Sequence, residues 1–157
     1  MIIKGIREES FSDYLMPNMF IAFPSCTFKC EKECNKQMCQ NSDLVLSPNI
    51  DVDNQIIINR FLDNPITKAF VFGGLEPFDS WYDLIQLVKD IRNNTEAPII
   101  IYTGYYKSEI EDSIEELKHY KNIIVKFGRF IPDQRSHFDK ILGVELASDN
   151  QYAEVIS

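Results

Sequence analysis

Four short apolar runs, separated by stretches of helical periodicity, constrain this chain more than any other feature. MFIAF (19–23), KAFVF (68–72), APIIIY (97–102) and NIIVKF (122–127) have the length and apolar content of buried strands. Between and around them the period changes. DVDNQIIINRFL (51–62) opens on aspartates suited to capping a helix. In DSWYDLIQLVKDIRNN (79–94), Trp81, Leu84, Ile85, Val88 and Ile91 recur at helical spacing behind Asp79 or Ser80 as N-cap. KSEIEDSIEELKHY (107–120) sets Ile110, Ile114 and Leu117 on one helix face, and ILGVELA (141–147) reads as a fifth, short strand. Alternation of this kind predicts an α/β fold with a mostly parallel sheet built from right-handed βαβ crossovers. With 157 residues, 45% of them hydrophobic, the chain is expected to be one domain over 1–157.

Parallel sheets gather ligands where their strands end at the carboxyl side. Four unusual segments fall at those ends: a cysteine-rich loop after the first strand, GGLEPFD (73–79), TGYY (103–106) and GRF (128–130). One edge of the sheet is thereby predicted to carry the chemistry.

The loop PSCTFKCEKECNKQMCQN (24–41) holds all 4 cysteines: Cys26, Cys30, Cys34 and Cys39. A core of this size needs no disulfide staples. The opening MIIKGIREESFSDY lacks the apolar run of a signal peptide, and no stretch approaches the ~20 apolar residues of a membrane span. A cytoplasmic, reducing setting is therefore expected, where clustered thiols bind metal or do redox chemistry. The 24 acidic against 16 basic residues give a net charge of -8 without a basic stripe, which argues against nucleic acid as a partner. Structural zinc usually uses two close pairs separated by a longer span, a pattern this loop lacks. A cubane iron–sulfur cluster takes four ligands, so three thiolates leave one iron open and four close it for electron transfer. Both counts fit the cysteines present.

Taken in order, the short motifs resemble those of radical S-adenosylmethionine (SAM) proteins, and most of all the activating proteins of anaerobic ribonucleotide reductase. Cys26-xxx-Cys30 with Cys39-Gln40-Asn41, GGLEP (73–77), YTGY (102–105), GRF (128–130) and SDNQ (148–151) follow the family's order along nearly the whole chain. Two departures stand out: eight residues separate Cys30 from Cys39 where the family has two, and Leu75 is inserted between the glycines and Glu76-Pro77. The resemblance implies a small partial (βα) barrel, a [4Fe-4S] cluster and SAM as cofactors, with metal ligands Cys26, Cys30 and Cys39. Cys39 is favoured over Cys34 by the match of Met38-Cys39-Gln40-Asn41; Cys34 is then a spare, a fourth ligand in the absence of SAM, or a redox partner. It further implies that Gly73, Gly74 and Glu76 receive the methionine amino group, that Thr103 and Gly104 border the SAM pocket, and that Asn150 and Gln151 line the adenosine site. No side chain is assigned to acid–base catalysis.

By the same resemblance, the 5'-deoxyadenosyl radical would abstract hydrogen from a backbone glycine of a large reductase, with reduced flavodoxin or ferredoxin as electron donor. The contrasting expectation is a non-enzymatic four-cysteine iron–sulfur or zinc module for electron transfer, sensing or structure. Duller roles accompany the secondary candidates: Gly73, Gly74, Thr103 and Gly104 as turn formers, Arg129 as a surface cation rather than a carboxylate clamp after the fourth strand, Trp81 as core, EIEDSIEE (109–116) as a solvated helix face, and Asn150 and Gln151 as a polar tail.

Overall fold

The structure is a computed structural model that describes residues 1–37, 39 and 41–157. Its centre is a six-stranded sheet. Strands β3 (Asn18–Phe23), β5 (Ala69–Gly74), β6 (Ile99–Tyr102) and β7 (Ile123–Phe127) are the four apolar runs, and they pair in parallel in that order. Two antiparallel strands that the apolar pattern did not reveal flank them: β2 (Gly5–Ser10) beside β3 and β10 (Tyr152–Val155) beside β7. Both carry charged residues, because an edge strand meets solvent and needs no apolar run. Among the described residues the sheet stays open, with β2 and β10 as its edges and no closed barrel.

Each crossover between parallel strands contains a helix. Helix α3 (Asn54–Asp63) begins behind Asp53, whose carboxylate accepts from the Gln55 N–H at 2.7 Å; α4 (Trp81–Arg92) follows a 3-10 turn at Pro77–Ser80, and α5 (Glu111–Leu117) follows another at Lys107–Glu109. The predicted helix over 107–120 is thus two pieces, joined at Ile110.

Strand order advances in one direction from β3 to β7, so the crossovers bring all three helices to one face. The period of two along each strand then sorts the core. Met19, Ile21, Phe70, Phe72, Ile99, Ile101, Ile123 and Val125 pack under Ile57, Phe61, Leu84, Leu87, Val88, Ile114 and Leu117 of the helices. On the other face only the amino-terminal half is covered, where Ala69, Val71, Ile100 and Ile124 meet Tyr14, Leu142 and Leu146. ILGVELA contributes β9 (Val144–Leu146), which pairs with β8 (His137–Asp139) in a separate hairpin rather than joining the sheet. A further two-stranded pair links β1 (Ile2–Ile3) and β4 (Ile50–Asp51). The short helices α1 (Lys29–Cys34) and α2 (Ser42–Leu46) belong to the cysteine segment. No helix among the described residues is long and apolar enough to cross a membrane.

Candidate metal centre and ligand cleft

The uncovered carboxyl half of the sheet face opens into a cleft of about 780 Å³. Its floor is one row of residues in register: Ala22 pairs with Gly73, Phe72 with Ile101 so that Gly73 is followed by Tyr102, and Tyr102 pairs with Lys126. The walls come from the segments predicted to lie at the strand ends. Cys26, Cys30 and Cys39 line the cleft with Asn41, Gly74, Leu75, Glu76, Thr103, Gly104 and Gln151. Cys34 and Asn150 are not among its lining residues.

All four cysteines are free and partly buried. Burial pushes the Cys26 thiol up to about 12, helped by the nearby charges of Glu76, Cys30 and Asp79 and opposed by the Phe28 N–H that donates to its sulfur. The Cys30 thiol is raised for the same first reason; Cys39 and Glu76 add to the rise, and Arg129 lowers it. Cys26 therefore feels Cys30, and Cys30 feels Cys39, while neither shift includes Cys34. Among the described residues no three His, Cys, Asp or Glu side chains converge on a single ion position. A cubane cluster asks for something else, since each thiolate binds its own iron at a separate corner. Three partly buried thiols that line one cleft suit such a group. The residues Met38 and Gln40, on which the preference for Cys39 partly rested, lie outside the described residues.

Polar contacts position the cysteine segment. Helix α1 buries none of its residues. Before it, Glu76 N–H donates to the Ser25 carbonyl at 2.8 Å, and Asp79 accepts from the Thr27 N–H at 2.7 Å and from Tyr105 Oη at 2.5 Å. Beyond the strand ends, Arg129 is only 5% exposed, so it is not the surface cation expected. Its guanidinium holds Glu109 through Nη1 and Nη2 at 2.8 and 2.6 Å, stacks over Tyr106, and places Nε 3.0 Å from Glu33 of α1, an ion pair not aligned for a hydrogen bond. Glu109 is correspondingly not part of a plain solvated face: the Arg129 hydrogen bonds hold its carboxyl down at about 2.

The glycine turn has its own physical requirements. Gly74 sits at φ +84°, and a Cβ there would stand 2.9 Å from Leu44 Cδ2 and 3.0 Å from Ala22 Cα. Gly73 is tight against the Phe20 ring, at 3.2 Å. The Gly74 carbonyl accepts from Asn41 Nδ2 at 2.7 Å, tying the end of the cysteine segment to the turn. Inserted Leu75 is buried. Glu76, 6% exposed, accepts from Thr103 Oγ1 at 2.7 Å, Gly104 N–H at 2.8 Å and Phe78 N–H at 3.2 Å, and so ties the ends of β5 and β6 together. Burial raises its carboxyl to about 7 despite those bonds.

Asn150 does not line the cleft; it donates to the Arg129 carbonyl at 2.8 Å and accepts from Ser148 Oγ at 2.8 Å. Of the two residues, Gln151 lines the cleft. The run SDNQ is thus a braced corner rather than a loose tail. Sequence reasoning passed over Lys126, whose signal was present: a lone charge at an inward position of the strand IIVKF. It also gave Asp79 only a capping role.

A family model described as a 4Fe-4S single cluster domain matches residues 18–151, most of the chain, including the cysteine segment, the glycine turn and Thr103-Gly104. The chain belongs to that family. It is an iron–sulfur protein, and its cofactor is a [4Fe-4S] cluster. No curated protein and no solved structure matches this 4Fe-4S single cluster domain protein.

Proposed function

We propose that this 4Fe-4S protein is a radical SAM enzyme, with Cys26, Cys30 and Cys39 as cluster ligands and SAM in the remainder of the cleft. The observation that carries this reading is the cleft itself. It is lined by three of the four cysteines and by the Gly73-Gly74 turn, Thr103 and Gly104, and its 780 Å³ lies within the range of small-molecule sites, well beyond what a cluster alone fills. When bound and reduced, the cluster would supply one electron to cleave a carbon–sulfur bond of SAM, giving methionine and a 5'-deoxyadenosyl radical.

The chain's own residues then have definite tasks. Asp79 and Arg129 fix the cysteine segment over the strand ends. Gly73 leaves the cleft floor without a side chain, and Glu76 presents carboxylate oxygens at its rim. Phe20, Leu75 and Leu146 supply apolar walls that limit access of water. The open sheet corresponds, on this reading, to the strands of a partial barrel. Hydrogen abstraction from a backbone glycine of a large reductase, and a reduced flavodoxin or ferredoxin as donor, rest on the motif resemblance.

The test is anaerobic. Reconstituted protein with a strong reductant should convert SAM to 5'-deoxyadenosine and methionine, faster when a protein substrate supplies the hydrogen. Alanine at Cys26, Cys30 or Cys39 should abolish iron binding and turnover, while Cys34→Ala should keep both. A full, reducible cluster that forms no 5'-deoxyadenosine overturns the enzyme reading; loss of iron in Cys34→Ala with retention in Cys39→Ala overturns the ligand set.

A further inference from the structure

Asp79 holds the turn that carries Cys26. Its Oδ2 accepts from the Thr27 N–H at 2.7 Å and its Oδ1 from Tyr105 Oη at 2.5 Å, while one residue further on the Phe28 N–H donates to the Cys26 sulfur at 3.2 Å. The carboxylate thus sits at the peptide that joins Cys26 to Thr27. Bond lengths alone keep its Oδ2 within about 7 Å of the Cys26 sulfur. The side chain is half-buried, and among the described residues no Lys, Arg or His comes within ion-pair distance of it. Lys29 lies over the Tyr105 ring and pairs with Glu109 instead.

Neither hydrogen bond needs a charge. An asparagine oxygen accepts from the Thr27 N–H as well, and a tyrosine hydroxyl, which both donates and accepts, turns to meet the amide. The negative charge is therefore surplus to the architecture of the turn. It bears on the cysteine nonetheless: after burial, the charges of Glu76 and Asp79 both push the Cys26 thiol up. Glu76 lines the cleft, whereas Asp79 is not among its lining residues, so Asp79 acts on Cys26 without touching what the cleft binds.

We infer that Asp79 sets the reduction potential of the cluster from behind Cys26, holding it lower than a neutral side chain in the same place would. The inference needs the cluster with Cys26 as a ligand, and does not need SAM. Reduction adds one electron from an external low-potential donor; no bond is made or broken, and the step moves no proton. A fixed negative charge opposes that addition, while the Phe28 N–H aimed at the sulfur favours it. At an effective dielectric of ~20, one charge at this range shifts a one-electron equilibrium by roughly tenfold or more.

The experiment is an anaerobic dithionite titration of the iron-loaded protein without SAM, poised with mediator dyes and read by electron paramagnetic resonance of the reduced cluster. Asp79→Asn should raise the reduced-to-oxidised ratio at a given potential roughly tenfold, a midpoint about 59 mV higher. Asp79→Glu keeps the charge and should stay within about threefold of wild type. Tyr105→Phe removes a donor that partly neutralises the carboxylate, so its midpoint should fall; it leaves the Thr27 bond in place and carries the test if Asp79→Asn does not load iron. Iron per chain is measured for each variant. An unchanged or lower midpoint in iron-loaded Asp79→Asn, an equal rise in Asp79→Glu, or an unchanged or higher midpoint in Tyr105→Phe overturns the assignment. Full iron retention in Cys26→Ala overturns the ligand set and this assignment with it.

Discussion

Glu76 shows how one residue in this rim couples structure to pH. Burial raises its carboxyl from 4.5 to about 7, against the pull of three donated hydrogen bonds. A carboxyl with a raised folded-state pKa holds a proton that the unfolded chain has released. Its contribution to stability is complete below pH 4.5 and is lost as pH rises through about 7. The span corresponds to on the order of 3 kcal/mol. Glu76→Gln removes the ionisation at the cost of one mismatched contact, at the Gly104 N–H. The variant's urea midpoint should therefore change less between pH 5 and 7 than that of the wild type. An identical slope in the two proteins would assign the pH dependence elsewhere.

Helix α1 poses the problem of an element that cannot hold itself in place. Six residues are too few for a stable isolated helix, and none of these is buried. Its position depends on charge: Arg129 toward Glu33, and Lys29 toward Glu109 at 3.4 Å. Glu33 and Lys29 are substantially exposed, so these contacts are open to screening by salt, unlike the buried core. Arg129→Gln should therefore lower the iron retained per chain after gel filtration, more strongly at high ionic strength, and should cost about 1–3 kcal/mol of folding stability. Iron content equal to wild type at both ionic strengths would show that the thiols alone hold the segment.

At the scale of the whole molecule, the two faces of the sheet divide stability from binding. The helix-covered face contains the larger core, with Leu87 at 0% exposure and not among the residues that line the cleft. Leu87→Ala should cost about 2–5 kcal/mol in denaturant unfolding. Iron per chain should stay unchanged while the variant remains folded. Loss of iron in the folded variant would mean that packing on the covered face is transmitted to the strand ends.

The sequence by itself determined the frame. The apolar runs of β3, β5, β6 and β7 form strands because such short segments bury both faces only inside a parallel sheet, and the intervening helical periods decide which face is covered. That frame alone puts the cysteine segment, the glycine turn and Thr103-Gly104 at one edge, since a parallel sheet brings all its carboxyl ends together. Strands β2 and β10 were not legible, because edge strands are specified by pairing rather than by apolar pattern. Only the tertiary structure decided the partners. Arg129 became a buried clamp because Glu33 and Glu109 arrive from segments far away in the chain, Asn150 stayed off the cleft lining with its bonds to Ser148 and the Arg129 carbonyl, and Lys126 entered the cleft floor because neighbouring strands fixed its row. Strand periodicity is local, so one chain segment reveals it; charge pairing and cavity shape depend on several segments meeting, and no single stretch contains them.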